Sequence, residues 1–377
     1  MSVAHAFRLD LAGDAGDGGA ARTLERLREA MPGIRARAAT CDAEGAFPAE
    51  DVDCLRRIGA LKVFGAGLSS ALQLMEVLRL TGRANLSLGR IFEGHVNGAA
   101  LIRWYGDAGQ QADLAQALSA GRVFGVWNTE PSPGVTVESG PDGASRLAGR
   151  KSYATGAGAI DQAVVTGRLP SGERQMFVVD ASDPRRADPS AWRVRGMRAT
   201  ISGTYDLAGL PADACARLGA PGDYEREPRF SAGAWRFTAV QLGGVERVVG
   251  LLRDHLAGSP AGADPIHRAR FASALRGARS AYLWVREAAQ RAEAADAGPA
   301  EVAFVLMTRG VVEQAGLEAM EAATRSVGTR AFFEDHPLDQ ACRDLALYLR
   351  QPVPDQALDR AAGAFLAADC WRDDPLW

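Results

Sequence analysis

Apolar positions in the first third of the chain recur every three to four residues, the spacing of one helix face. From Thr23 onward Leu24, Leu27 and Ala30 stand at i, i+3 and i+6. Pro48-Ala49-Glu50-Asp51 reads as a helix start, with proline and acidic residues in the first turn. The pattern predicts further helices over 70–81, 95–105 and 110–120. Residues 1–20, rich in Gly, Ala and Asp, are expected to be loose.

Near Gly121 the pattern changes. As far as about Asp223 the chain carries short apolar runs of strand length: Val123-Phe124-Gly125-Val126-Trp127, Ala163-Val164-Val165-Thr166 and Gln175-Met176-Phe177-Val178-Val179. Pro141-Asp142-Gly143 and Pro170-Ser171-Gly172 punctuate them as turns. Beyond Ser231 the helical spacing returns in long stretches, 235–256, 265–295 and 300–326, with Pro299 placed to start the third. Val302, Val305, Leu306, Val312, Leu317 and Met320 mark one apolar stripe. The architecture is therefore α+β: an N-terminal helical domain (1–120), a small central β-domain (121–224) and a C-terminal antiparallel four-helix bundle (225–377). A β insert between two helical parts leaves a seam in which a cofactor can lie.

Composition narrows the function. Hydrophobic residues make up 47% and charged residues 24% of the 377, which suits an ordered globular chain. Net charge is −3 with no basic stripe, which argues against nucleic acid or an anionic membrane as main partner. No run approaches the ~20 apolar residues of a membrane span. The first 19 residues carry acidic side chains and lack the basic-then-apolar order of a signal peptide. The five cysteines have no CxxC spacing, so a cytoplasmic chain with reduced thiols and no metal site is expected. HExxH, GxSxG and P-loop patterns are absent. Trp104-Tyr105, Trp235, Trp284, Trp371 and Trp377 read as core or interface aromatics.

Four short motifs stand in order. Trp127-Asn128-Thr129-Glu130-Pro131-Ser132-Pro133-Gly134 is similar to the TEPxAG signature of acyl-CoA dehydrogenases. Gly149-Arg150-Lys151-Ser152-Tyr153-Ala154-Thr155 resembles that family's GxKxWITN strand. Gly196-Met197-Arg198-Ala199-Thr200 with Leu210-Pro211 is similar to its GMRxSxT…VP segment, and Gln241-Leu242-Gly243-Gly244 to its ALG helix. The chain thus resembles the acyl-CoA dehydrogenase superfamily over about residues 45–365. Phe332-Phe333-Glu334-Asp335-His336-Pro337-Leu338 with Arg343-Asp344-Leu345 is also similar to the branch containing flavin monooxygenases of the dibenzothiophene type.

The resemblance implies a flavin, FAD with FMN as the other option, and a homodimer or homotetramer. It puts Trp127, Thr129, Tyr153 and Thr155 beside the isoalloxazine, Gly134 against the pyrophosphate, and Arg268, with Arg270 as a second candidate, on the flavin of a neighbouring subunit. It also implies an oxidoreductase that dehydrogenates a small substrate, a CoA or carrier-protein thioester, by taking an α-proton with a carboxylate.

Departures from the family pattern open two alternatives. The family's glutamate positions fall on Val353 or Pro354 and on Gly233 or Ala234. Val135 replaces the serine after the motif glycine, and the double glycine near Gly328 is lost. One alternative is a monooxygenase using reduced flavin and oxygen. The other is a non-catalytic scaffold of the same fold. Asp355 is either a displaced base or a first-turn helix aspartate. His336 either acts beside the flavin or starts a helix. Glu93 and His95, with Asn97, either face substrate or form a satisfied polar network in an apolar setting.

Overall fold

The computed structural model describes residues 18–140 and 142–368. Pro141 of the first turn signal, Trp371, Trp377 and most of the stretch expected to be loose lie outside the described residues. The last part of that stretch is helical, because α1 (Gly18–Glu44) begins at Gly18. It is followed by α2 (Ala49–Arg57), α3 (Ala60–Gly65), α4 (Ala71–Ala84), α5 (Leu86–Tyr105) and α6 (Ala108–Ser119). Capping boxes set two of these starts: Ser70 with Gln73 for α4 and Asp107 with Gln110 for α6.

Helix α5 begins nine residues earlier than the hydrophobic spacing suggested. Asn85 is extended, and its Oδ1 accepts from the N–H groups of Ser87 and Leu88, at 2.9 and 3.3 Å. Most of α5 is buried, Glu93 and His95 included, so its polar residues mark no solvent face that would betray its phase.

Strands follow: β1 (Phe124–Trp127), β2 (Thr136–Ser139), β3 (Ser145–Ala148), β4 (Arg150–Lys151), β5 (Gln162–Arg168), β6 (Arg174–Asp180), β7 (Ala187–Asp188), β8 (Thr204–Asp206) and β9 (Arg217–Leu218). One sheet runs β3-β2-β5-β6-β9, with β1 parallel beside β5 from Phe124↔Gln162 to Trp127↔Val165. Strands β5 and β6 form a hairpin whose turn is closed by Gly172 N–H donating to Leu169 O at 2.8 Å. A second sheet has the order β4-β8-β7.

The chain then returns to helix: α7 (Arg229–Ala232), α8 (Trp235–Ala257), α9 (Pro265–Ala292), α10 (Pro299–Val327), α11 (Pro337–Tyr348) and α12 (Pro354–Ala367). Short connections join α8, α9 and α10 into a bundle completed by α12 against α10. Helix α8 is the axis of the molecule, packed on α4 and α5 as well as on the bundle. The crossing with α4 is close enough that a Cβ on Gly82 would meet Val240 O, and one on Gly243 would meet Arg79 O. That contact accounts for the Gln241-Leu242-Gly243-Gly244 motif. No described helix is long and apolar enough to cross a membrane.

Candidate functional site

Two of the motifs meet at one corner of the β-region. The Trp127 indole N–H donates to Thr155 O at 3.0 Å, and the Ser152 N–H donates to Thr129 O at 2.9 Å. These bonds bring Trp127, Thr129, Tyr153 and Thr155 together across more than twenty residues of sequence. Tyr153 is 61% exposed and has φ 52°, a left-handed backbone that disfavours a Cβ by ~1–2 kcal/mol. Its ring stands edge-on to Trp192, with centroids 6.1 Å apart. The Thr155 hydroxyl is 3.0 Å from that of Ser202, which donates to Thr200 Oγ1 at 2.8 Å. An exposed aromatic held in strained backbone serves no core. Together with two nearby threonines it fits one face and the polar edge of a flavin ring.

A charged network underlies the corner. Lys151 is fully buried, and its ammonium donates to Asn128 O (3.0 Å), Thr166 Oγ1 (3.1 Å) and Glu130 (2.5 Å). Burial pulls the Lys151 pKa down to about 8, against the pull of Glu130 in the other direction. Asn128 Oδ1 accepts from Thr166 at 2.7 Å and from Arg174 at 2.7 Å. With both lone pairs taken, the amide is fixed with its NH2 as a donor.

A second polar centre lies between α5 and α8. Glu93 accepts from Arg90 and from Asn97, and Asn97 Oδ1 accepts from Arg236 at 3.5 Å. Arg236 pairs with Glu293, which also accepts from Trp235 Nε1 at 3.0 Å. The Tyr348 hydroxyl is buried nearby with no partner among the described residues. Burial first, then the charge of Glu93, pushes its pKa well above the ordinary phenol value. Beyond Arg236 opens a cavity of about 480 Å³, bounded by the α3–α4 connection, α5 and the ends of α8 and α9.

Sequence comparison adds a family match. Residues 228–349 match the family described as acyl-CoA dehydrogenase, C-terminal domain. A dibenzothiophene monooxygenase of Mycolicibacterium goodii is 28% identical over 199 residues, 48% of this chain and 47% of that protein, so the chain spans about half the length of this curated relative. Among solved structures, FMN-bound TdsC from Paenibacillus sp. A11-2 superposes with a TM-score of 0.81 at 21% identity, over 92% of this chain and 97% of that one. The methanesulfinate monooxygenase MsuC from Pseudomonas fluorescens gives 0.80 at 17% identity, over 91% and 96%. A glutaryl-coenzyme A dehydrogenase bound to glutaryl-CoA gives 0.78 at 20% identity, over 93% and 95%. The chain has the acyl-CoA dehydrogenase fold.

Within the acyl-CoA dehydrogenase fold, several residues sit differently from what the motifs implied. Trp127 is only 1% exposed and packs on Tyr205 at 5.0 Å, so its ring offers no open face to a flavin. At Gly134 a Cβ would strike the Glu130 carboxylate, so the missing side chain makes room for the Glu130–Lys151 pair. His95 is sealed in the core: Nε2–H donates to Leu61 O at 2.9 Å, and Nδ1 accepts from Phe124 N–H at 3.2 Å. Burial lowers its pKa to about 4, so it is a neutral strut and not an acid or base. Glu93 is committed to Arg90 and Asn97 and is not free to take a proton from a substrate.

His336 caps α11, its Nδ1 accepting from Leu338 N–H at 3.2 Å. Burial first, then Arg330 and His255, holds its pKa below the ordinary value. Asp355 is exposed in the first turn of α12, and Arg268 is exposed near the start of α9. Neither joins the corner on its own chain. The base positions are occupied as the sequence reads: Val353 caps α12 with φ 41°, and Gly233 and Ala234 link α7 to α8.

The Arg343-Asp344 pair has a structural use. Asp344 accepts from Met197 N–H, and Arg343 pairs with Asp42 (2.9 Å) and Asp339 (2.7 Å) and donates to Arg195 O. The third motif is thereby docked on α11.

Sequence reasoning missed Asn128 and Lys151 as a network, Arg236, Tyr348 and the cavity. Their only signal was the placement of polar side chains inside apolar helices and strands, and tertiary contact alone pairs them.

Proposed function

We propose that this chain is a flavin-dependent monooxygenase that uses a reduced flavin and oxygen on a small-molecule substrate. The observation that carries the reading is the missing base. A thioester dehydrogenase needs a carboxylate within hydrogen-bond reach of the α-proton. Here the family positions hold Val353, Pro354, Gly233 and Ala234, Asp355 lies outside, and Glu93 is held by Arg90 and Asn97. An oxygenase has no α-proton to remove. The 28% identity to a dibenzothiophene monooxygenase supports the same reading.

In this reading a bound reduced flavin, FMN or FAD, supplies the electrons and the oxygen-activating ring. Tyr153 would hold the face of the ring, Thr129 and Thr155 would hold its polar edge, and the Asn128 NH2 would supply a further donor beside them. Lys151, Thr166 and Arg174 keep that amide oriented. Arg268 serves the flavin of a second copy in a homodimer or homotetramer.

The test is anaerobic titration of the purified protein with reduced FMN and reduced FAD, followed by oxygen uptake with a flavin reductase and candidate heteroaromatic substrates. Binding of reduced flavin and substrate-dependent product formation are expected. Bleaching of bound oxidised FAD by short- or long-chain acyl-CoA would return the assignment to a dehydrogenase. Failure to bind either flavin would leave a scaffold.

A further inference from the structure

The 480 Å³ cavity has an unusual charge balance. It is of ordinary ligand-pocket size and open to solvent, and Leu72, Leu74 and Trp104 give it an apolar side within a mostly polar lining. Three charged side chains line it: Arg103, Arg236 and Glu293. Glu293 is already neutralised by Arg236. Arg103 donates to a backbone carbonyl, Gly65 O, and forms no ion pair among the described residues. One positive charge is left over.

Two further features add donors at the edge of the same space. Arg236 has a side chain only 6% exposed, and its Nε has no partner among the described residues. Ala71 and Leu72, in the first turn of the 14-residue α4, also line the cavity. Ser70 Oγ takes the Gln73 N–H and Ser70 O takes that of Leu74, so the N–H groups of Ala71 and Leu72 are left for other acceptors. A helix N-terminus adds partial positive charge.

We propose that this cavity binds a small organic anion, its carboxylate or sulfur oxyanion held by Arg103, Arg236 and the first turn of α4, with its apolar body against Leu72, Leu74 and Trp104. Burial, and then the neighbouring Arg236, pull the Arg103 pKa down to about 10, a penalty that a bound anion relieves. The cavity is taken as the substrate end of the oxygenase, so the substrate class rests on that reading. The binding itself does not.

The experiment uses the full chain stripped of flavin. Benzoate, octanoate and ethanesulfonate are each compared with the uncharged benzamide, octanamide and ethanesulfonamide by calorimetry and melting temperature. At least one anion is expected to bind more tightly than its amide. Arg103→Met should weaken that binding about 10-fold or more, the usual size of a hydrogen bond to a charged group. Arg103→Lys, which keeps the charge, should recover part of it. Should Arg103→Met fail to fold, the anion-against-amide comparison and Arg103→Lys decide. Anions binding no better than their amides, or binding unchanged in the folded Arg103 variants, overturn the proposal. Anion binding without any flavin uptake would keep the pocket and reject the oxygenase; flavin uptake without anion binding would do the reverse.

Discussion

Replacing His95 by leucine removes both hydrogen bonds that tie α5 to α3 and β1. Phe124 N–H is then left buried without a partner, at ~1–3 kcal/mol, and Leu61 O keeps only its bond within α3, so the variant should be less stable by about 1–4 kcal/mol at pH 8. The ring adds a pH signature. Its native pKa is about 4 against 6.5 for the free side chain. Between those values the unfolded chain binds the extra proton, so the stabilisation is complete above pH 6.5 and is lost as pH falls toward 4. At pH 5 the wild type has lost about 2 kcal/mol from this one group. Other groups titrate in the same range, Asp344 in the opposite sense, so the raw profile of either protein is uninformative. The difference between them isolates the ring. Urea denaturation followed by circular dichroism at pH 8 and pH 5 should show the gap between wild type and His95→Leu narrowing by about 2 kcal/mol at the lower pH. An equal gap at both values would mean that His95 titrates as if water reached it, and the sealed strut would be refuted.

Other substitutions test the remaining geometry. Glu93→Gln leaves the half-buried Arg90 without a counter-charge and should lower stability by about 1–3 kcal/mol in urea denaturation. Asp344 has its pKa raised to about 7 by burial, so its contribution is complete below pH 3.8 and lost as pH rises through 7. Asp344→Asn keeps the acceptor for Met197 N–H, and melting curves should show it matching or exceeding wild type above pH 7 while losing ground at pH 4. Tyr153→Ala should change the melting temperature little, because the ring is exposed, yet weaken reduced-flavin binding at least ~10-fold by loss of an aromatic face; fluorescence titration reads it.

The order of the fold was legible because its causes are local. Periodicity of Leu, Val and Ala marks the long helices, and Ser70, Asp107 and Pro299 mark starts by capping or by a missing N–H. The start of α5 was not legible: its polar residues, Glu93 and His95 among them, are buried with the apolar ones, so they mark no solvent face. The site was half legible. The motifs correctly named segments that meet, as the bonds from Trp127 to Thr155 and from Ser152 to Thr129 show, but not which way each side chain turns.

The sequence by itself determined the succession of helix, strand and bundle and the absence of a carboxylate at the base positions. Only the tertiary structure decided that His95 is a strut, that Gly134 makes room for Glu130, that Arg343 and Asp344 dock a β-region loop, and that Arg103 and Arg236 share one cavity. The reason is physical. Backbone preference and periodicity are read within a few residues, whereas the charge state and role of a buried polar group depend on partners tens to hundreds of residues away.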